Sequence, residues 1–139
     1  MLSNNRLASA SQDKTLKIWN LKDYKLIQTL NMKLEIFSSD NSFVLLSDDL
    51  LAGTWIYRSK IEIWNLTNYK LVKEIDFKDK HITSLTSLLN RYLIVGLNNN
   101  LIHIININDY LLFNQIQLES IPLQLACLPN DDLVAITSN

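Results

Sequence analysis

The sequence predicts an all-β fold built from several small antiparallel sheets, and three observations predict it. A nine-residue segment recurs at long, regular spacing. Apolar residues alternate with polar ones at period two between its copies. Turn-forming residues then punctuate the chain roughly every 8–12 residues. The segment Ile18-Trp19-Asn20-Leu21-Lys22-Asp23-Tyr24-Lys25-Leu26 returns as Ile63-Trp64-Asn65-Leu66-Thr67-Asn68-Tyr69-Lys70-Leu71, with seven of nine residues identical. A weaker copy is Ile104-Ile105-Asn106-Ile107-Asn108-Asp109-Tyr110-Leu111-Leu112. Trp19, Trp64 and Ile105 are thus 45 and 41 residues apart, room for four short strands and their turns.

The elements follow in order within each unit. Leu7-Ala8-Ser9-Ala10-Ser11-Gln12-Asp13 aligns without a gap on Leu93–Asn99 and on Leu133–Asn139. The second unit has Leu51-Ala52-Gly53-Thr54-Trp55 there, with one extra residue before its tryptophan motif. Next come Thr15 to Leu21, Lys60 to Leu66 and Leu101 to Ile107. In these strands Leu16/Ile18, Ile61/Ile63 and Ile102/Ile104 share one face, and Lys17, Glu62 and His103 share the other, read as polar. Strands over Lys25–Leu30, Lys70–Phe77 and Leu111–Leu118 follow the tyrosine. Strands over Phe43–Leu46, Ile82–Leu89 and Pro122–Leu128 precede the next unit. Ser47-Asp48-Asp49, Asn90-Arg91 and Pro129-Asn130-Asp131-Asp132 close hairpins. With two glycines and two prolines in the chain, turns fall largely to Asn, Asp and Ser, which hydrogen-bond their own backbone. The β-branched runs make a helical reading poor.

At 139 residues, 47% hydrophobic and 19% charged, the chain is one globular domain's worth of protein. A net charge of −1 offers no basic excess for nucleic acid or an anionic membrane, and neither is expected as a partner. One cysteine, Cys127, allows no internal disulfide and no cysteine-based metal site. The start lacks a signal-peptide layout and no apolar run reaches the roughly 20 residues that span a bilayer, so a cytoplasmic or nuclear setting is expected. His81 and His103 are the only histidines. His103 reads as a polar-face strand residue and His81 as a turn or capping residue. Asp48-Asp49 and Asp131-Asp132 occupy equivalent turns, and Gly53 and Gly96 alone build no phosphate loop. No catalytic residue, cofactor site or metal site is expected.

Leu7 to Asn20 resembles the diagnostic stretch of the WD-repeat (Trp-Asp repeat) family: a small-residue strand, an Asp turn, then an apolar strand ending in Trp-Asp, here Trp19-Asn20. The resemblance covers about three and a third repeats and is strongest in the first. The second unit has Arg58 at the turn Asp position. The third has Asn99 there and Ile105 at the tryptophan position, and the family's Gly-His dipeptide is absent throughout. The resemblance implies an all-β, partial (open) β-propeller of four-stranded antiparallel WD-type blades. Strands b, c and d of one blade would occupy 1–31, complete blades 32–77 and 78–118, and strands a and b of another 119–139. Propellers close with roughly four to eight blades. The chain is therefore expected to be a segment of a longer propeller, or to be completed by the rest of its own propeller or by a second copy. In the family the Asp, the Trp, a strand Ser/Thr and the His form a hydrogen-bonded tetrad. Carried over, Asp13, Trp19 and Ser9 or Ser11 take structural roles, and Trp64 holds the tryptophan position of the second unit.

The function the resemblance implies is a non-catalytic protein–protein interaction scaffold that binds a protein or peptide. Two other readings stay open: a substrate-recognition propeller appended to an enzyme or ubiquitin-ligase-type adaptor, and a propeller enzyme whose active site lies in other blades. The residues add one candidate binding loop, Trp55-Ile56-Tyr57-Arg58. It carries the residue types enriched in binding hot spots, whereas Gln12-Asp13-Lys14 and Asn98-Asn99-Asn100 fill its counterparts. Trp55 and Ile56 filling a gap against the adjacent blade is the competing reading.

Overall fold

The computed structural model describes residues 5–11, 13–31, 41–55 and 59–138. Thirteen strands and no helix occur among these residues. Strands consecutive in sequence pair into four antiparallel sheets. The first sheet is β1 (Arg6–Ala10), β2 (Thr15–Asn20) and β3 (Leu26–Asn31). The second is β4 (Asn41–Ser47), β5 (Leu50–Trp55), β6 (Lys60–Asn65) and β7 (Lys70–Asp76). The third is β8 (Ile82–Leu88), β9 (Tyr92–Leu97), β10 (Leu101–Asn106) and β11 (Leu112–Gln117), and the fourth is β12 (Pro122–Cys127) with β13 (Leu133–Thr137). This is the all-β architecture of four-stranded antiparallel sheets that the sequence predicts.

The repeated nonapeptide folds the same way three times. The residue after Trp19, Trp64 or Ile105 is an asparagine whose Oδ1 accepts a backbone N–H two residues on: Lys22 at 2.9 Å, Thr67 at 2.8 Å and Asn108 at 3.0 Å. Three residues later Asp23, Asn68 or Asp109 does the same for Lys25, Lys70 or Leu111. Between them Tyr24, Tyr69 and Tyr110 take left-handed φ values of 58°, 58° and 59°. Asn and Asp thus cap the turns, as expected, but tyrosine holds the left-handed position, and Lys14, Lys78 and Leu89 hold others. With no glycine in that region among the described residues, larger side chains carry a conformation that costs about 1–2 kcal/mol each.

A β-bulge recurs beside each of these turns. The pairing of β2 with β3 slips between Ile18 and Trp19, that of β6 with β7 between Ile63 and Trp64, and that of β10 with β11 between Ile104 and Ile105. The residue left without a ladder partner is Ile27, Val72 or Phe113, and all three are exposed. A bulge re-aims the side chain at the extra position, so each sheet presents one outward residue there.

The sheets stack face to face, and the inner strands of the middle two are covered on both faces, whereas their outermost strands β7 and β11 stay largely exposed. Ile61 and Ile63 of the second sheet meet Ile82, Leu93, Val95 and Ile105 of the third. Leu16, Ile18 and Leu30 of the first meet Leu51, Trp64 and Leu66 of the second. Ile94 and Ile102 of the third meet Leu125 of the fourth. Each fully buried Leu or Ile contributes roughly 1.5–3 kcal/mol. The first strands β4, β8 and β12 lie next to one another from sheet to sheet, so the sheets converge there.

Stacking corrects one sequence expectation. The face carrying Glu62 and His103 is not a solvated polar face; it looks onto the preceding sheet. Glu62 is 0% exposed, and His103 is half-buried. Alternation reads as half-buried strands only when one face meets water, and the inner strands of the middle sheets have no such face.

Particular contacts lock neighbouring sheets. Arg6 Nη1 donates to the Leu66 carbonyl at 3.0 Å, and the Thr83 hydroxyl donates to the Pro122 carbonyl. Gly96 of β9 lies beside Pro122 of the fourth sheet. A Cβ there would overlap the Ser84 hydroxyl and stand 3.1 Å from Pro122 Cγ and Thr83 Oγ1.

Candidate interaction sites at the seams between sheets

In the second and third units the tryptophan position faces the preceding sheet, together with the residue two before it and the tyrosine five after it. In the first sheet the Trp19 indole N–H donates to Ser9 Oγ at 2.8 Å across the β1–β2 pair. Asp13 does not join them. Its carboxylate accepts from the Thr15 hydroxyl and from the Thr15 backbone N–H at 3.0 Å, and Ser11 Oγ accepts the Asp13 N–H at 3.3 Å. The bond from the Thr15 hydroxyl holds the Asp13 carboxyl below its ordinary range. No described sheet covers this face of the first sheet, and Tyr24 is 80% exposed.

In the second sheet the same position is filled and covered. Trp64 is 7% exposed, packed with Leu16, Ile18 and Leu30 of the first sheet, and Tyr69 and Leu71 lean on the same cluster. Its indole N–H donates to Glu62 Oε2 at 3.2 Å. The two motif positions form one buried hydrogen-bonded pair.

The third sheet departs from this arrangement. Ile105 stands at the tryptophan position and His103 at the Glu62 position. Between this sheet and β7 lies a cavity of about 270 Å³, broadly open to solvent. Ile75 and Phe77 form one wall, and Ile105, Leu112, Tyr110 and His103 the other. Asp76, Lys78 and Lys80 also border it. The Phe77 and His103 rings are tilted, with centroids 5.9 Å apart. His103 Nε2 is buried and has no hydrogen-bond partner among the described residues. Burial, and after it the Lys80 ammonium, push the His103 imidazole below its ordinary value of 6.5, so it is neutral at pH 7.

A second feature lies on the outer surface of the same sheet. The bulge presents Phe113, 61% exposed, against Tyr92 of β9, with centroids 4.9 Å apart. The Arg91 guanidinium sits over the Tyr92 ring at 5.3 Å from its centroid. Leu111 and Leu112, both exposed, extend this surface back to the mouth of the cavity. The corresponding segments of the other units read Lys25-Leu26-Ile27 and Lys70-Leu71-Val72. Only the third unit replaces the lysine by leucine and puts an aromatic ring on the bulge.

No family model matches the chain, and no curated protein matches it. A crystal structure of the WD40 β-propeller domain of Doa1 matches with a TM-score of 0.77 over 99% of this chain, at 18% identity. The chain has the fold of a partial, open WD40 β-propeller. It spans 45% of the length of the Doa1 chain. The sheets are therefore propeller blades, and the cavity and the Arg91–Tyr92–Phe113 stack lie at and beside the seams between them.

Of the sequence-derived site residues, Ser9 and Trp19 are joined directly, Ser11 and Asp13 serve their own turn, and Trp64 is buried in the first seam. Trp55 ends β5 opposite Asn41, and Ile56, Tyr57 and Arg58 lie outside the described residues. The His81 backbone N–H donates to Asn98 Oδ1 at 2.9 Å, which ties the start of the third blade to its own b–c turn. Among the described residues no three His, Cys, Asp or Glu side chains stand together as a metal site. The Arg91–Tyr92–Phe113 stack was hidden in the sequence because its members come from a turn and two non-adjacent strands. The departure from Lys-Leu-Val to Leu111-Leu112-Phe113 was the available signal.

Proposed function

We propose that the chain is a non-catalytic protein-interaction scaffold built of WD-like blades. The observation that carries this reading is the Arg91–Tyr92–Phe113 stack on the outer surface of the third blade. Aromatic and arginine side chains bury large area at small entropic cost, and such residues dominate binding hot spots. A bulge that thrusts a phenylalanine into solvent costs the isolated protein apolar exposure, which a partner's surface would recover. Fold analogy supports the same class of role, since propellers host binding sites on a rigid frame. The Trp55–Arg58 loop is a second contact surface on this reading, supported by its residue types.

The test uses the full chain as bait for protein partners, with Phe113→Ser, Arg91→Glu and the Trp55→Ala/Arg58→Ala pair compared with the parent. Phe113 and Arg91 are exposed, so their replacement leaves the circular dichroism unchanged. Loss of a reproducibly captured partner in Phe113→Ser and Arg91→Glu is expected. Equal capture by these folded variants would sink the reading.

A further inference from the structure

The cavity between the second and third blades occupies the place where the repeat elsewhere keeps a tryptophan. The preceding seam shows what normally stands there: the Trp64 indole wedged against the first blade with its N–H on Glu62. At the equivalent position stands Ile105, a smaller side chain that lines the cavity, and His103, in the place of Glu62, keeps a buried Nε2 without a hydrogen-bond partner among the described residues. A buried polar atom without a partner is rare in native proteins and calls for a ligand or a cost. A neutral imidazole whose proton is on Nδ1 offers Nε2 as an acceptor, the same role that the Glu62 carboxylate plays toward Trp64.

We propose that this cavity binds the indole side chain of a partner peptide, inserted between Phe77 and Ile105 in place of the missing tryptophan, with its N–H donated to His103 Nε2. Lys78 and Lys80 at the border favour acidic residues flanking the tryptophan, whereas Asp76 is paired toward Lys60 on β6 at 3.8 Å. The apolar walls supply the affinity, and the imidazole selects an N–H-bearing ring over a phenyl ring. This inference rests on the reading of the chain as a protein-interaction scaffold and names the chemistry of one partner segment.

The experiment titrates the full chain by calorimetry with three synthetic peptides, acetyl-Asp-Glu-Trp-Glu-Asp-amide and its 1-methyltryptophan and phenylalanine counterparts. The tryptophan peptide is expected to bind, and N-methylation, which removes one hydrogen bond while keeping the ring, to weaken it about tenfold. Because that comparison changes only the peptide, it does not depend on how a protein variant folds. Ile105→Trp fills the seam from within and is expected to abolish binding while keeping or raising the melting temperature. His103→Phe should remove the preference for tryptophan over 1-methyltryptophan. Equal binding of the methylated and unmethylated peptides, or undiminished binding to Ile105→Trp, overturns the proposal. So does an absence of binding by all three peptides at millimolar concentration. That last result leaves the scaffold reading standing if capture still depends on Phe113 and Arg91; loss of that dependence with peptide binding intact would overturn the Phe113 surface alone.

Discussion

Replacing Trp64 by alanine should cost far more stability than the same change at Trp19, although the two occupy the same position of a nearly identical nonapeptide. Trp64 is 7% exposed and packs on three side chains of the first blade, whereas Trp19 is half-buried and no described blade faces it. Truncating a buried tryptophan costs about 3–5 kcal/mol through lost transfer energy and the cavity left behind. Trp64→Ala also takes the indole donor from the buried Glu62 carboxylate, which places it at the upper end of that range. For Trp19→Ala, with roughly half the ring in water and a Ser9 hydroxyl that solvent can reach, about 1–2 kcal/mol is expected. Urea denaturation of the full chain, followed by circular dichroism, reads the difference as separated midpoints at similar m-values. Equal losses, or a larger one at Trp19, would refute the assignment of the tryptophan face to the preceding blade.

Gly96→Ala should destabilise by about 1–3 kcal/mol, because its Cβ meets Ser84 in its own sheet and Pro122 and Thr83 close by; an unchanged melting curve would contradict that packing. The His103 imidazole has a lowered folded-state value, so between that value and 6.5 the unfolded chain binds more protons. Stability should therefore be full above pH 6.5 and fall as the pH drops through that window, with Lys78, Lys80, Asp76 and Tyr110 as the other titratable groups facing the cavity. Urea midpoints between pH 7.5 and 5 should show a shallower slope in His103→Gln, and an identical slope would remove His103 as the source. Burial, with Asp131 nearby, raises the Cys127 thiol, so it should react with a thiol-specific disulfide reagent more slowly than a free cysteine at pH 7 and speed up on unfolding. A rate equal to that of free cysteine in the native protein would contradict the burial.

The fold was legible because the features that specify it are local. An asparagine after the tryptophan position and an Asp or Asn three residues later fix the turn between the third and fourth strands of a blade, and both stand in plain sequence. The bulge beside that turn was not legible, since a register shift leaves no residue-type signature in Ile27, Val72 or Phe113. Nor was the burial of Glu62: alternation tells which residues share a face, while only the stacking order tells what the face meets. The seam cavity lay half in view. Ile105 at a tryptophan position was readable as a departure, but the orphaned His103 nitrogen required knowing that both residues point into the second blade.

The pairing of each strand with its sequence neighbour also sets a timetable for folding. Hairpins of this kind close in about 1–10 μs, so β2 and β3 can form as soon as both are free in solution. Among the described residues their apolar face, Leu16 and Ile18, finds its cover in the next blade, chiefly in Leu51, Trp64 and Leu66. During synthesis at about 5–20 residues per second, that face waits on the order of seconds for the residues that bury it. A growing chain of this type therefore always carries one sticky leading sheet, and each new blade both covers the last and takes over the exposure.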